Sequence, residues 1–535
     1  MLVGLLFSTS LRLAVVTTAL FSAGACTGQF SPGSEPVQWA ADSSTVRTAA
    51  GTHYDRSAVW QLFWGKHYRE LWATPVTAPV LRLGAATPNG PLLPLQAGGS
   101  YQSRTLRLQA PTGQQYVLRS VDKDASRALP EGWRRQLLGG LMKDQTSVIQ
   151  PYGAYVAAAL ADAAGVYHAN PRLVFLAADT TLGKFRKDYA NALYLLEERP
   201  DGDQRLTPSF GRSPRVVSTA KMLADIHQRP GSYVNARAHL RARLLDIWLG
   251  DWSRREDQWR WASFPGPGTT EYRPIPRDRD QAFFLFNDGV LTRLVSWVVP
   301  RYQSFRGRIK LGDVEALTHT ARALDRSILT SLSDEDFRQV ADSLRLRLTD
   351  ALIDQALQAG PPETRARVTA YFGPLLKARR EQLPAVALRF RRELTREAWI
   401  VGTDRPERFV LSATGKAGQL RVQHLVRPAA GPDSLVGDYQ LSVRHTRRLN
   451  VYGLGGDDVF ELHGRLRPGF AVGLHGGNGK DEVQGKNLRE TRGITWYTSS
   501  NPDPEAPAGV RVKLDPERAL NYNASSWLGR YKLDD

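Results

Sequence analysis

"LGDWSRREDQWRW", Leu249 to Trp261, places three tryptophans and a charged loop between a helix and a hairpin. Upstream, "ARAHLRARLLDIWLG" has helical periodicity and a glycine stop, which predicts a helix ending near Gly250. "DWSRREDQ" reads as a loop. "WRWASF" and "EYRPIP" alternate and pair as a hairpin, with "FPGPGTT" as its turn. Asp278 and Asp280 stand directly after the second strand, where a carboxylate can face a cleft.

Outward from this centre the text changes twice. Between Pro79 and Asp179 strands dominate: "TLRLQA" and "QYVLRSVD" flank "PTGQ" as a hairpin, and "RLVFLAA" follows two helical stretches. "ALYLLEERPDG" reads as a further strand ending in a turn. "VWQLFWGKHYRELW" reads as a helix with Trp60, Phe63, Trp64 and Tyr68 on one packing face. From Val216 to about Ala398 helices prevail. In "LSDEDF", Ser333 is the N-cap, Asp336 closes a capping box and Leu332 can staple to Phe337. From about Trp399 the segments "RFVLSATG", "QLRVQHLV", "YQLSVRHT" and "LNVYGLGG" announce an all-β module. The expected class is α+β: a β-rich lobe (57–205), a helical lobe (206–398) and a C-terminal β module (399–535).

The chain has 535 residues, 42% hydrophobic and 23% charged, enough for several packed domains. Its net charge of +18 favours anionic partners such as phospholipid or lipopolysaccharide headgroups. Nucleic acid is not among the expected ones. The only cysteine, Cys26, ends "LRLAVVTTALFSAGAC". Arg12, a short apolar core and small residues before Cys26 form a signal peptide (1–25) whose end resembles a lipobox, with Ala23 where leucine is commoner. The expectation is a lipid-modified Cys26, a flexible tether (26–56) and an outer-membrane lipoprotein facing the periplasm or the cell surface. The other reading is ordinary cleavage beside an incidental cysteine.

Phosphoryl transfer needs a cation on the phosphates, metal ligands, and a carboxylate that orients the acceptor hydroxyl. "LYLLEERPDG", "LGDWSRREDQWRW" and "YRPIPRDRDQAFF", in that order, resemble the atypical kinases of the CotH type and, more distantly, the Golgi secretory-pathway and HipA toxin kinases. The resemblance is nearest to a kinase-like segment of Gram-negative envelope proteins, where it lies between a metallophosphatase domain and an outer-membrane barrel. It implies a two-lobe kinase-like core. It places Arg119 at the phosphate-binding position, with Lys123 as an alternative and Asp144 as a partner for the cation. Gly98 and Gly99 resemble a shortened glycine-rich turn. Glu197 and Glu198 would lie at the hinge beside a nucleotide base. Gln258 fits the first magnesium position, and Asp278 or Asp280 the second.

Ser253 departs from that pattern. It lies five residues before Gln258, where the family has its catalytic Asp, and a serine cannot act as that carboxylate. Arg255 stands where related sequences often have His. Asp251 could substitute if the loop shifts. The expected function is therefore an envelope lipoprotein with a degenerate phosphotransfer site serving binding or scaffolding. An active magnesium- and nucleotide-dependent phosphotransferase is the alternative, although an exported protein meets little ATP.

Two further features remain. "YGLGGDDVFEL" and "HGGNGKDEV" repeat a glycine/aspartate pattern that suggests calcium held by Asp457, Asp458 and Asp481, in a structural protein partnering an outer-membrane barrel or a surface glycan. The Arg-rich segment from Arg365 to Trp399 reads as solvated helix faces, or as faces lying on anionic headgroups.

Overall fold

The structure is a computed structural model. It describes Ala40 and residues 43–85, 90–98, 103–123, 133–299, 302–426, 432–498 and 505–514. The signal-peptide segment, Cys26, Gly99 and the first part of the expected tether lie outside the described residues; its second part is not a tether, because Thr45–Ala49 is a strand paired with Pro75–Leu81 and Tyr54 is buried.

The chain is α+β. Its first sheet contains β1 (Thr45–Ala49), β2 (Pro75–Leu81), β3 (Leu93–Gly98), β4 (Thr105–Gln109), β5 (Gln115–Ser120), β6 (Arg172–Leu176) and β7 (Ala192–Glu198), in the order β1-β2-β6-β7-β5-β4-β3. β4 and β5 form the hairpin expected around "PTGQ", with Leu108 opposite Tyr116. The helix Gly153–Ala164 buries its alanine-rich face and ends at Gly165 in the left-handed conformation. "VWQLFWGKHYRELW" is not one helix. Gly65 at φ +100° and His67 at φ +48° divide it into Ala58–Trp64 and Arg69–Ala73. Trp64 and Tyr68 are buried, whereas Phe63 faces solvent.

The second region joins helices to a small sheet of β8 (Arg215–Ser218), β9 (Ser232–Val234), β10 (Trp259–Gly266) and β11 (Thr269–Pro276), in the order β8-β10-β11-β9. β10 and β11 are the hairpin expected after the charged loop, closed by a tight turn with Gly268 at φ +66°. The helix Ala236–Leu249 is buried along nearly its whole length and stops at Gly250 in the left-handed conformation. Ser333 and Asp336 make the expected capping box. The Arg-rich segment forms the helices Pro362–Arg380 and Leu383–Arg396, but their arginines are not all solvated. Arg379 is buried and donates to the carbonyls of Ile247 (2.6 Å), Trp248 (2.6 Å) and Arg306 (2.9 Å), closing the end of Ala236–Leu249.

The third region is a two-sheet coil. β12 (Glu397–Val401), β16 (Arg448–Gly455), β18 (Ala471–Asn478), β20 (Ile494–Thr498) and β21 (Arg511–Leu514) stack in parallel on one side. On the other lie β13 (Glu407–Ala413), β17 (Val459–Leu466) and β19 (Glu482–Thr491), also parallel, with β14 (Gln419–Val426) and β15 (Ser434–Ser442) as an antiparallel extension. The chain passes from one side to the other at successive corners, β12 to β13, β16 to β17 and β18 to β19. Ile400, Val451, Leu474, Phe409, Phe460 and Trp496 fill the space between the sheets.

Candidate functional site

The end of β5, β7 and the segment after β11 converge. Val117 is opposite Glu197 across the strands, so Arg119 and Glu197 lie on one face as diagonal neighbours. Arg119 Nε is 3.2 Å from Glu197 Oε2, and its Nη1 is 2.8 Å from Asp278 Oδ1. Asp278 takes a left-handed backbone at φ +58°, a conformation that Asp tolerates better than most residues. Lys123 pairs with Asp280. Burial works to raise Asp278, but Arg119, a hydrogen bond with Asp280, and Lys123 hold it well below the usual carboxylate range. Burial and the neighbouring Asp278 push Asp280 up. Burial pushes Glu197 up to about 7, against the pull of Arg119. Arg119, Lys123, Glu197, Asp278 and Asp280 thus form one closed charge cluster. Glu198 stands apart from it, its Oε2 accepting from the Asn170 amide at 2.9 Å.

Asp144 is not the partner of Arg119. Its carboxylate accepts from Arg69 Nη1 (2.8 Å) and Nη2 (2.7 Å), Arg56 Nε (3.0 Å) and Trp60 Nε1 (3.0 Å). The short helices after Ser57 fold over Asp144 and claim it before β5 can. Gly98 ends the exposed strand β3.

The loop after Gly250 is held from beneath. Asp246, fully buried on Ala236–Leu249, meets Arg254 Nε (3.0 Å), Arg243 Nη1 (3.1 Å) and Arg279 Nε (3.1 Å). Asp325 accepts from Arg243 Nε at 2.9 Å and lies 2.9 Å from His239 Nε2. Trp259 and Trp261 are buried against the His239 ring at 4.7 and 5.7 Å. Asp251 is fully buried, with Oδ2 2.6 Å from Arg254 Nη2 and Oδ1 accepting from the Ser253 amide at 3.1 Å. Burial pushes Asp251 up to about 7, opposed by Arg254 and reinforced by Asp246. Ser253 is half-buried above this network. Gln258 Oε1 accepts from the Arg255 amide at 2.9 Å, closing the turn Glu256–Gln258, while its carbonyl accepts from the Arg277 amide at 2.8 Å. Gln258 is therefore beside the cluster through its backbone, with its side chain committed to the loop.

The groups present do not fit a magnesium–nucleotide complex as arranged. Asp278 and Asp280 are each neutralised by a cation of the chain. A small cavity of ≈ 40 Å³ borders the cluster at Val117, Arg119, His168, Glu197 and Asp278. A roomier cavity of ≈ 970 Å³ lies elsewhere, where the helix Thr219–Gln228 and β9 meet β12 to β15, lined by Ile226, Tyr233, Val401, Glu407 and Tyr439.

At the coil corners, Glu407, Asp458 and Asp481 occupy equivalent positions in successive turns, one residue before the paired Arg408, Val459 and Glu482. The amide of Glu407 donates to Asp458 Oδ1 (2.9 Å), and that of Asp458 to Asp481 Oδ1 (3.2 Å). Asp457 Oδ1 accepts from the Lys480 amide at 2.9 Å. Each stacked carboxyl lies against a glycine five residues earlier: Gly402, Gly453 and Gly476, where any Cβ would overlap the acid. Burial, Asp481 and Glu407 push Asp458 up to about 10, and burial pushes Asp481 up to about 6. These acids hold adjacent turns together through backbone amides. Among the described residues no group of three or more His, Cys, Asp or Glu is arranged to hold a metal ion. The expectation of calcium on Asp457, Asp458 and Asp481 finds no support in this arrangement, in which their carboxyl oxygens accept from backbone amides of the neighbouring turn.

Sequence reasoning missed the buried acid cluster and Glu407. A charged pair, Arg243 and Asp246, inside an otherwise apolar helix was the available signal for the first. For the second it was the spacing glycine, four residues, acid, which recurs in Gly402–Glu407, Gly453–Asp458 and Gly476–Asp481.

No protein-family model matches the chain, and no curated protein sequence does. Two solved structures align over part of it. A Helicobacter pylori proinflammatory kinase, CtkA, aligns at 11% identity, covering 57% of this chain and 95% of its own, with a TM-score of 0.28. The Rio2 kinase–ADP/Mg2+-phosphoaspartate complex from Chaetomium thermophilum aligns at 14% identity, covering 54% and 71%, with a TM-score of 0.27. At TM-scores of this size the site rests on its own geometry.

Proposed function

We propose that the chain is a kinase-like binding or scaffold protein of the cell envelope, anchored through Cys26, whose phosphotransfer site no longer transfers phosphate. One observation carries the reading. Asp251, the carboxylate nearest to the vacated base position at Ser253, is fully buried and paired with Arg254 at 2.6 Å. A carboxylate so placed cannot orient an acceptor hydroxyl. The pairing of Asp278 with Arg119 and of Asp280 with Lys123 supports the same conclusion, because metal binding would have to break both pairs. The ≈ 970 Å³ cavity at the junction with the β coil has a size suited to a ligand or a partner segment. The partner would be an outer-membrane barrel protein or a surface glycan.

The active reading has one observation in its favour: Arg119, Asp278 and Asp280 do converge at the strand end. Thermal melting with and without Mg-ATP separates the two. A ligand of the native state at about a hundredfold its Kd adds roughly 2.7 kcal/mol of stability, readily seen as a higher Tm. The expected result is no shift at millimolar Mg-ATP, and no transfer by either the natural chain or Ser253→Asp. Phosphate transfer by the natural chain overturns the proposal, whereas transfer that appears only in Ser253→Asp shows a site intact apart from its base.

A further inference from the structure

The helices Ala58–Trp64 and Val290–Val298 pack side by side. Their junction is rigid. The Asp288 carboxylate accepts from the His67 amide at 2.7 Å and lies 2.7 Å from His67 Nδ1. Gly289, immediately before the second helix, has no room for a Cβ against the backbone of Phe63 to Gly65. This clamped pair turns apolar side chains outward. Val59, Leu62 and Phe63 are exposed on the first helix at spacings of three and four, and Val290, Leu294 and Trp297 on the second. Leu62 is 62% exposed and Trp297 60%. Arg293 shares the outer face of the second helix, and Lys66 follows the first; both are exposed. Scattered exposed apolar residues need no explanation, but six gathered on two packed helices concentrate apolar surface locally, as a covered surface does.

We propose that this patch docks on the surface of a bilayer containing anionic lipid. The chemistry suits an interface: short amphipathic helices, an exposed tryptophan, and basic side chains beside the apolar ones. The net charge of +18 draws the chain to anionic headgroups. Position agrees, in a step that rests on the lipid-anchor reading of Cys26. The chain enters the first sheet at its edge strand β1 (Thr45–Ala49) and continues through Thr52–Tyr54 into the first of the two helices, so only the stretch from Thr27 to Ser44, at most about 60 Å when extended, separates Cys26 from this lobe.

The test uses the mature chain, beginning at residue 26, as Cys26→Ser, which removes any lipid and leaves no other cysteine. Co-sedimentation with vesicles of phosphatidylethanolamine and phosphatidylglycerol is expected to retain it, more weakly at high salt. Phe63→Ser/Trp297→Ser, with an unchanged Tm, is expected to reduce partitioning by about tenfold or more as two aromatic side chains leave the interface. A spin label on Leu62→Cys in the same background is expected to gain oxygen accessibility and lose accessibility to a water-soluble relaxant. A label on Val443→Cys of the β coil is expected to do neither. Sedimentation unaffected by the double substitution, or a Leu62 label that stays in water, overturns the proposal. So does a patch-dependent dimer in solution, which would assign the surface to a second copy. The mass of the mature natural chain reports separately whether Cys26 is acylated, so failure of the anchor and failure of the patch are read apart.

Discussion

Replacing Asp458 by Asn removes a proton-binding group from the middle of the stacked acids while keeping the Oδ1 that accepts from the Glu407 amide. Burial, Asp481 and Glu407 push the Asp458 carboxyl up to about 10 from the ordinary 3.8, so at neutral pH the folded chain favours a proton there that the unfolded chain has released. A group raised on folding contributes fully below its unfolded value and loses that contribution as pH rises towards the folded value. Between about pH 4 and 10 the natural β coil should therefore lose about 1.4 kcal/mol of stability per pH unit from this residue. At pH 7 the accumulated cost is about 3.2 pH units multiplied by 1.36, or roughly 4 kcal/mol, and relaxation around the neighbouring Asp481 and Glu407 reduces it. Asn pays none of it. The expectation is that Asp458→Asn stabilises the coil by about 2–4 kcal/mol at pH 7, with little gain at pH 4. Calorimetric scans at several pH values, following the transition of the C-terminal region, measure this directly. A lower Tm for Asp458→Asn at neutral pH refutes the reasoning. So does a calcium-dependent rise in the natural protein that the variant loses, because a charged, metal-neutralised stack would then replace the protonated one.

Two other substitutions probe the loop support. Asp246→Ala leaves Arg243, Arg254 and Arg279 without their shared carboxylate and should cost about 3–5 kcal/mol, measured by denaturant unfolding of the region that contains the helix Ala236–Leu249. Arg379→Met keeps the volume but strips donors from the carbonyls of Ile247, Trp248 and Arg306. It should cost about 2–4 kcal/mol and speed hydrogen exchange in the loop that begins at Gly250.

Much of the local architecture was legible because it depends on neighbours in sequence. The glycine stop at Gly250, the hairpin of β10 and β11, and the Ser333 capping box each follow from residues within a few positions of one another. The break in "VWQLFWGKHYRELW" was legible in principle from Gly65, but the aromatic periodicity outweighed it. Arg379 departs from the solvated face expected of the Arg-rich helices, because periodicity does not reveal that free carbonyls at the end of another helix require it. At the site, the family resemblance offered Arg119, Asp278 and Asp280 as candidates, and the fold brings them together. The same resemblance offered Asp144, which the fold gives to Arg69 and Arg56.

The sequence by itself determined the local order of helix, loop and hairpin and the glycine–acid spacing of the β coil. Only the tertiary structure decided which cation meets which carboxylate, and that Asp251 is locked beneath the loop. The reason is physical. Helix stops, caps and turns are short-range backbone properties, fixed by adjacent residues. The strength of a charge pair depends on distance and on the surrounding dielectric, and both are set when remote segments pack.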